Sequence, residues 1–199
     1  MRLLDVLLGR TRPVAPDLDR LFALPSAAVT LEAATGLAPA GSGAVCFATV
    51  EGAAFERIRQ EVRALLDADR DRTGPPVEPY RDAYGYSWLV SRRSPGQLPQ
   101  LVADLHAVNS SLESAGFGPQ LLCSLVSFTN GAERRVALVY LYKRGTFYPF
   151  APLPGAAERR DTALELQLRS VLDGDLPVEP ELGRWFPVWG APIPQGHMG

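Results

Sequence analysis

Only His106 and His197 could act as imidazole bases, and only Cys46 and Cys123 as thiols, in this chain of 199 residues. A nucleophilic triad needs a base within reach of a serine or cysteine. His106 falls on the flank of an amphipathic segment, about a quarter-turn from its apolar stripe, and reads as a boundary residue. His197 sits in a glycine-containing tail, and no Gly-x-Ser-x-Gly elbow accompanies either histidine. Metal chemistry needs clustered ligands, and the sequence has no Cys-x-x-Cys and no His-x-x-x-His. Asp67, Asp69 and Asp71 alternate with Arg70 and Arg72, without the glycine and closing glutamate of a calcium loop, and read as a solvated helix end. Gly41-Ser42-Gly43 lacks the third glycine of a dinucleotide fingerprint, and no Gly-Lys-Ser/Thr occurs. Both cysteines lie inside apolar runs and read as small buried hydrophobes of a reducing compartment. The expectation is a protein without catalytic residues, cofactor or metal.

Residues suited to binding are easier to find. Tyr140 to Phe150 concentrates aromatic rings and bases around Gly145, and Lys143 is the single lysine of the chain. Arginine and aromatic rings build anion and peptide sites, and they equally end an edge strand. Tyr142, Lys143, Arg144, Phe147 and Tyr148, with Trp185 and Trp189, are the expected partner-binding face. Two other readings stay open. Asn109 interrupts an apolar helix face and either caps a nearby strand or lines, with His106 and Arg144, the pocket of a small-ligand-binding protein or an enzyme. Leu3, Leu4, Leu7 and Leu8 share one side of a short amphipathic segment over residues 2–10, which suits peripheral membrane contact or packing onto the body or a dimer mate.

The elements that must position these residues follow from periodicity. Apolar residues make up 46% and charged residues 21%, the balance of a folded domain, and a net charge of −2 argues against a nucleic-acid partner. The longest apolar run, Leu121 to Phe128, is far below the roughly 20 residues of a membrane helix. Asp5 interrupts the N-terminal leucines, no cleavage site follows, and the chain is expected in the cytoplasm. Asp17 caps a short helix that Pro25 ends; Ala28–Ala34 alternates as a strand; Gly36–Gly43 turns the chain; Ala44–Val50 is a second strand. Helices are expected near 53–68, 98–114 and 157–172, a strand over Tyr84–Val90, and a charged, Pro-rich loop over Asp69–Pro79. Strands at 121–128 and 136–144 flank Asn130-Gly131, a hairpin signal, and the second of them is apolar on both faces, which asks for a sheet covered on both sides. The expected fold class is α+β: a largely antiparallel sheet with packed helices in the order α-β-β-α-β-α-β-β-α. Residues 1–16 form an amphipathic segment and linker, 17–193 one domain, and 194–199 a disordered tail.

Several stretches, taken in order, match a known pattern. They are Leu3-Leu4-Asp5-Val6-Leu7-Leu8-Gly9-Arg10-Thr11, Leu21-Phe22-Ala23-Leu24-Pro25-Ser26-Ala27, Gly43-Ala44-Val45-Cys46-Phe47 and Asp104-Leu105-His106-Ala107-Val108-Asn109. Gly116-Phe117-Gly118, the run from Val139 to Pro152, and Trp185-Phe186-Pro187-Val188-Trp189-Gly190-Ala191-Pro192 complete it. The chain resembles the PspAB family of actinobacterial PspA-associated proteins. That resemblance implies an accessory protein of the phage-shock envelope-stress response, with phage-shock protein A components and an HtpX-type membrane zinc protease as partners. It supplies no catalytic residue. The element order is also similar to the secretion-chaperone-like fold. The expected function is a non-enzymatic cytoplasmic adaptor, held at the membrane at most through a partner.

Overall fold

The computed structural model describes residues 16–49, 52–131, 134–155 and 158–193. Among these, six strands form one sheet: β1 (Ala38–Phe47), β2 (Glu78–Arg81), β3 (Ser87–Arg92), β4 (Leu121–Thr129), β5 (Arg135–Leu141) and β6 (Thr146–Phe150). Their order is β2-β3-β1-β4-β5-β6, and every neighbouring pair is antiparallel. Four α-helices accompany it: α1 (Leu24–Thr35), α2 (Ala53–Asp67), α3 (Leu98–Leu112) and α4 (Thr162–Leu172). The fold is α+β, as expected.

Strand alternation divides the core in two. Val136, Leu138 and Tyr140 of β5 point to the helix-covered face, while Ala137 and Val139 point to the other. On the helix face α3 lies across β1, and its Leu101 and Leu105 press on Gly43. A β-carbon at Gly43 would stand 3.0 Å from the Leu125 carbonyl oxygen and 3.1 Å from a Leu105 methyl, so close helix–sheet approach requires glycine there. Phe55 of α2 meets Phe47 and Phe117 edge-on, with ring centroids 5.2 and 4.9 Å away. The opposite face carries Ala44, Cys46, Trp88, Val90, Cys123 and Leu125, and the chain after α4 covers it. Two-sided covering explains why β5 is apolar on both faces.

The N-terminal part departs from expectation. Ala28–Ala34 is helical, not a strand: Leu24, Ala27, Ala28 and Leu31 are buried at helical spacing, while Val29 is exposed. Pro25 opens this helix instead of ending one, because the first turn has no use for the N–H that proline lacks. Gly36–Gly43 is not a turn. Most of it belongs to β1, whose register shifts between Pro39 and Gly43 accommodate proline and glycine. The expected strand over Tyr84–Val90 starts only at Ser87, and Glu78–Arg81, expected in a loop, is edge strand β2. The element order therefore differs from the expected one. Leu3, Leu4, Leu7 and Leu8 and the tail 194–199 lie outside the described residues.

Candidate functional site

The segment after α4 builds the site by turning under the sheet. It first runs beside β6, where the Phe147 N–H donates to Pro177 O (2.9 Å) and the Glu179 N–H to Phe147 O (2.7 Å). A single 3-10 turn over Leu182–Arg184 then carries residues 185–193 across the face opposite the helices. Aromatic side chains fasten this strap. Trp185 stacks on Tyr148 with centroids 6.1 Å apart, and Trp189 meets Phe150 edge-on at 5.0 Å. The Trp185 indole donates to Glu179 O (3.0 Å), and Tyr148 Oη donates to Phe186 O (2.8 Å). Gly190 lies directly against Asp82: a β-carbon there would stand 2.6 Å from Asp82 Cβ. Asp82 in turn orders the β2–β3 turn by accepting the Tyr84 and Tyr86 N–H groups and the Trp88 indole, each at 2.9 Å.

The strap does not seal the sheet. Between them lies a cleft of about 650 Å³, within the range of specific ligand and anchor sites, about 300–1,000 Å³. Its floor is Cys46, Trp88, Leu122 and Cys123, and its walls include Tyr148, Val188 and Trp189. Exposed Tyr84, Tyr86, Phe186, Lys143 and Arg144 surround the mouth. Arg144 is committed to Glu179, its Nε donating to Oε2 at 2.6 Å. Lys143 has no carboxylate partner among the described residues.

Charge is placed sparingly here. The Glu179 side chain is fully buried, which alone would raise its pKa, yet the Arg144 guanidinium, the Thr146 hydroxyl and the Glu181 N–H together hold it below the ordinary carboxylate range. Burial pushes the Tyr148 phenol up. A hydrogen bond to Cys123, followed by burial, pushes the Cys46 thiol up. Among the described residues no group of three or more His, Cys, Asp or Glu side chains could hold a metal ion. No helix among them is long and apolar enough to cross a membrane.

Alternation splits the expected aromatic–basic segment. Tyr142 and Phe147 are buried on the helix face, Tyr148 and Trp185 on the strap face, Trp189 is half-buried at the cleft, and Lys143 and Arg144 are exposed at its mouth. The pocket expected to join Asn109, His106 and Arg144 does not form. Asn109 is enclosed between α3 and β4, where Nδ2 donates to Leu105 O and Ser124 Oγ, both at 2.8 Å. His106 packs on Phe22 (4.8 Å) beside Asp19, and of the three only Arg144 lines the cleft. Pairing that sequence reasoning missed includes the opposed thiols and a buried charge cluster. Asp104 accepts from Arg93 Nε (2.8 Å), Arg72 Nη1 (3.2 Å) and Ser91 Oγ (2.6 Å). Arg93 also donates to Asp69 (2.8 Å), so the chain just after α2 is tied to the end of β3 instead of simply solvated.

No curated protein and no solved structure matches this chain. The family model PspAB, PspA associated protein B, matches residues 1–193, nearly the whole length and including every residue of the cleft, and the chain belongs to that family.

Proposed function

We propose that this protein is a non-enzymatic, cytoplasmic adaptor of a PspA-linked envelope-stress response, and that its cleft receives an apolar, acid-flanked segment of PspA. Family membership supports the link to PspA. The observation that carries the rest is the cleft itself: apolar and aromatic within, with Lys143, which has no carboxylate partner among the described residues, at its mouth. Such a groove suits the anchors of an amphipathic helix, whose apolar side chains enter the cleft while a neighbouring carboxylate meets Lys143. Tyr148 and Trp185 act from behind by fixing the strap, and Lys143, Trp189 and Phe186 make the contact. Arg144 shapes the mouth through Glu179.

Titration of the purified protein with purified PspA tests this reading. Lys143→Glu and Trp189→Ala are each expected to weaken binding at least about tenfold, the equivalent of about 1.4 kcal/mol. Added salt should weaken the wild type more than Lys143→Glu. An HtpX-type protease in the same titration tests the second partner implied by the resemblance. Wild-type affinity in both folded variants overturns the cleft as the contact, and no affinity for PspA in the wild type overturns the adaptor reading.

A further inference from the structure

Cys46 on β1 and Cys123 on β4 occupy partner positions across an antiparallel pair. Both face the strap, both are free, and both line the cleft. A register shift adjoins them, between Cys46 and Phe47, and it leaves Leu122 and Cys123 facing the same side. Bulges of this kind re-aim a side chain beside a site. Directly opposed residues hold their β-carbons about 4.5–5.5 Å apart, and a disulfide needs about 3.5–4.5 Å, so closure asks for a movement of about an ångström.

A cysteine pair that only filled space would be walled in on every side. This one opens to a cleft, and the apolar lining admits an uncharged oxidant more readily than a charged one. We propose that Cys46 and Cys123 are a reversible dithiol–disulfide site on the cleft floor, closed by an uncharged hydroperoxide, R–O–O–H. One sulfur attacks the terminal peroxide oxygen. The O–O bond breaks, the alkoxide takes that thiol's proton and leaves as R–OH, and a sulfenic acid remains. The second sulfur attacks the sulfenic sulfur. Its own proton and the hydroxyl leave as water, and the S–S bond forms. Two thiols are oxidised by two electrons, and the peroxide is reduced by two.

The test needs neither PspA nor a variant that disturbs the strap. Reduced full-length protein is treated with cumene hydroperoxide under native conditions, the oxidant is removed, and the chain is unfolded in maleimide and weighed intact. The expected result is loss of two hydrogens and of both maleimide-reactive thiols together, with dithiothreitol restoring both. Proteolysis should yield a cross-linked peptide pair containing Cys46 and Cys123. Phenylarsine oxide should add once per chain and block both thiols, and Cys123→Ser should abolish the two-hydrogen loss. Two alkylated thiols after peroxide treatment, or disulfides only between chains, overturn the proposal.

Discussion

Glu179 is the polar anchor of the strap, and replacing it with alanine should loosen the cleft without unfolding the sheet. Its carboxylate accepts from Arg144 Nε at 2.6 Å, Thr146 Oγ1 at 2.7 Å and the Glu181 N–H at 3.2 Å. A net intramolecular hydrogen bond contributes about 0.5–1.5 kcal/mol, and more when one partner is charged. Arg144, at 41% side-chain exposure, regains water when Glu179 is gone, so its share belongs at the low end of the charged range. The expected cost of Glu179→Ala is about 2–3 kcal/mol in urea unfolding at neutral pH. A chain of this size loses about 2–4 °C of Tm per kcal/mol, which gives a fall of about 4–12 °C. Two of the three tryptophans, Trp185 and Trp189, sit on the strap, and their emission should shift to the red in the folded variant. Arg144→Ala should cost about as much although its side chain is half in water, because it leaves a buried carboxylate with only the longer contact to Arg184, at 3.6 Å. The double variant should then be less unstable than the two single losses combined. A Glu179→Ala protein within about 0.5 kcal/mol of wild type, with unshifted emission, would refute the reasoning, since neutral surface changes fall in that range.

Three further outcomes follow from the same geometry. Because Glu179 titrates below its ordinary value when folded, its ionisation-linked contribution is fully present above the unfolded carboxylate pKa of 4.5 and is lost as pH falls through the depressed folded value; by the linkage relation the gap between wild type and Glu179→Ala in urea should be constant from about pH 6 to 8 and narrow on acidification below pH 4.5. Asp104→Ala leaves Arg93 and Arg72 buried without their shared carboxylate and should cost about 3–5 kcal/mol, measured by chemical denaturation; a loss below about 1 kcal/mol would mean that the cluster is hydrated. Gly190→Ala drives a methyl group into Asp82 and should cost about 1–3 kcal/mol while raising the accessibility of Cys123 to maleimide; an unchanged alkylation rate would show that the strap yields elsewhere.

Much of the architecture was legible because it rests on local periodicity. The leucine and valine stripe of α3 and the hydrophobic face of α2 have the 3-4 spacing of helices buried on one side. The doubly apolar β5 announced a sheet covered on both faces. The Ala28–Ala34 error has a physical source. In an alanine-rich segment Val29, Leu31 and Ala33 alternate by composition, while burial follows Leu24, Ala27, Ala28 and Leu31. Proline and glycine in β1 hid a strand because the bulge and the close approach of α3, which make those residues suitable, are tertiary facts. The site was legible only in outline. Lys143, Arg144, Tyr148 and Trp189 do line one cleft, but strand alternation sends Tyr142 and Phe147 through the sheet to the other side. Cys46 and Cys123 stand 77 positions apart, and nothing local says that β1 lies beside β4.

The two faces of the sheet are held by different physics, and that difference places the site. On the helix face, leucines from four helices interlock with the strands, and a change there is felt throughout a close-packed core. On the strap face, a short run with little regular structure rests on two indole contacts, hydrogen bonds from Tyr148 and Arg160 to its carbonyls, the Glu179 bonds and the fit of Gly190 against Asp82. Segments with few buried contacts open at a fraction of the global unfolding free energy. On that general ground the strap is expected to open before the sheet does, leaving Cys46, Cys123 and Trp88 on a fixed floor. A cleft with a rigid floor and a yielding wall would take up apolar side chains without refolding, which is the property the proposed adaptor role requires and a sealed core lacks.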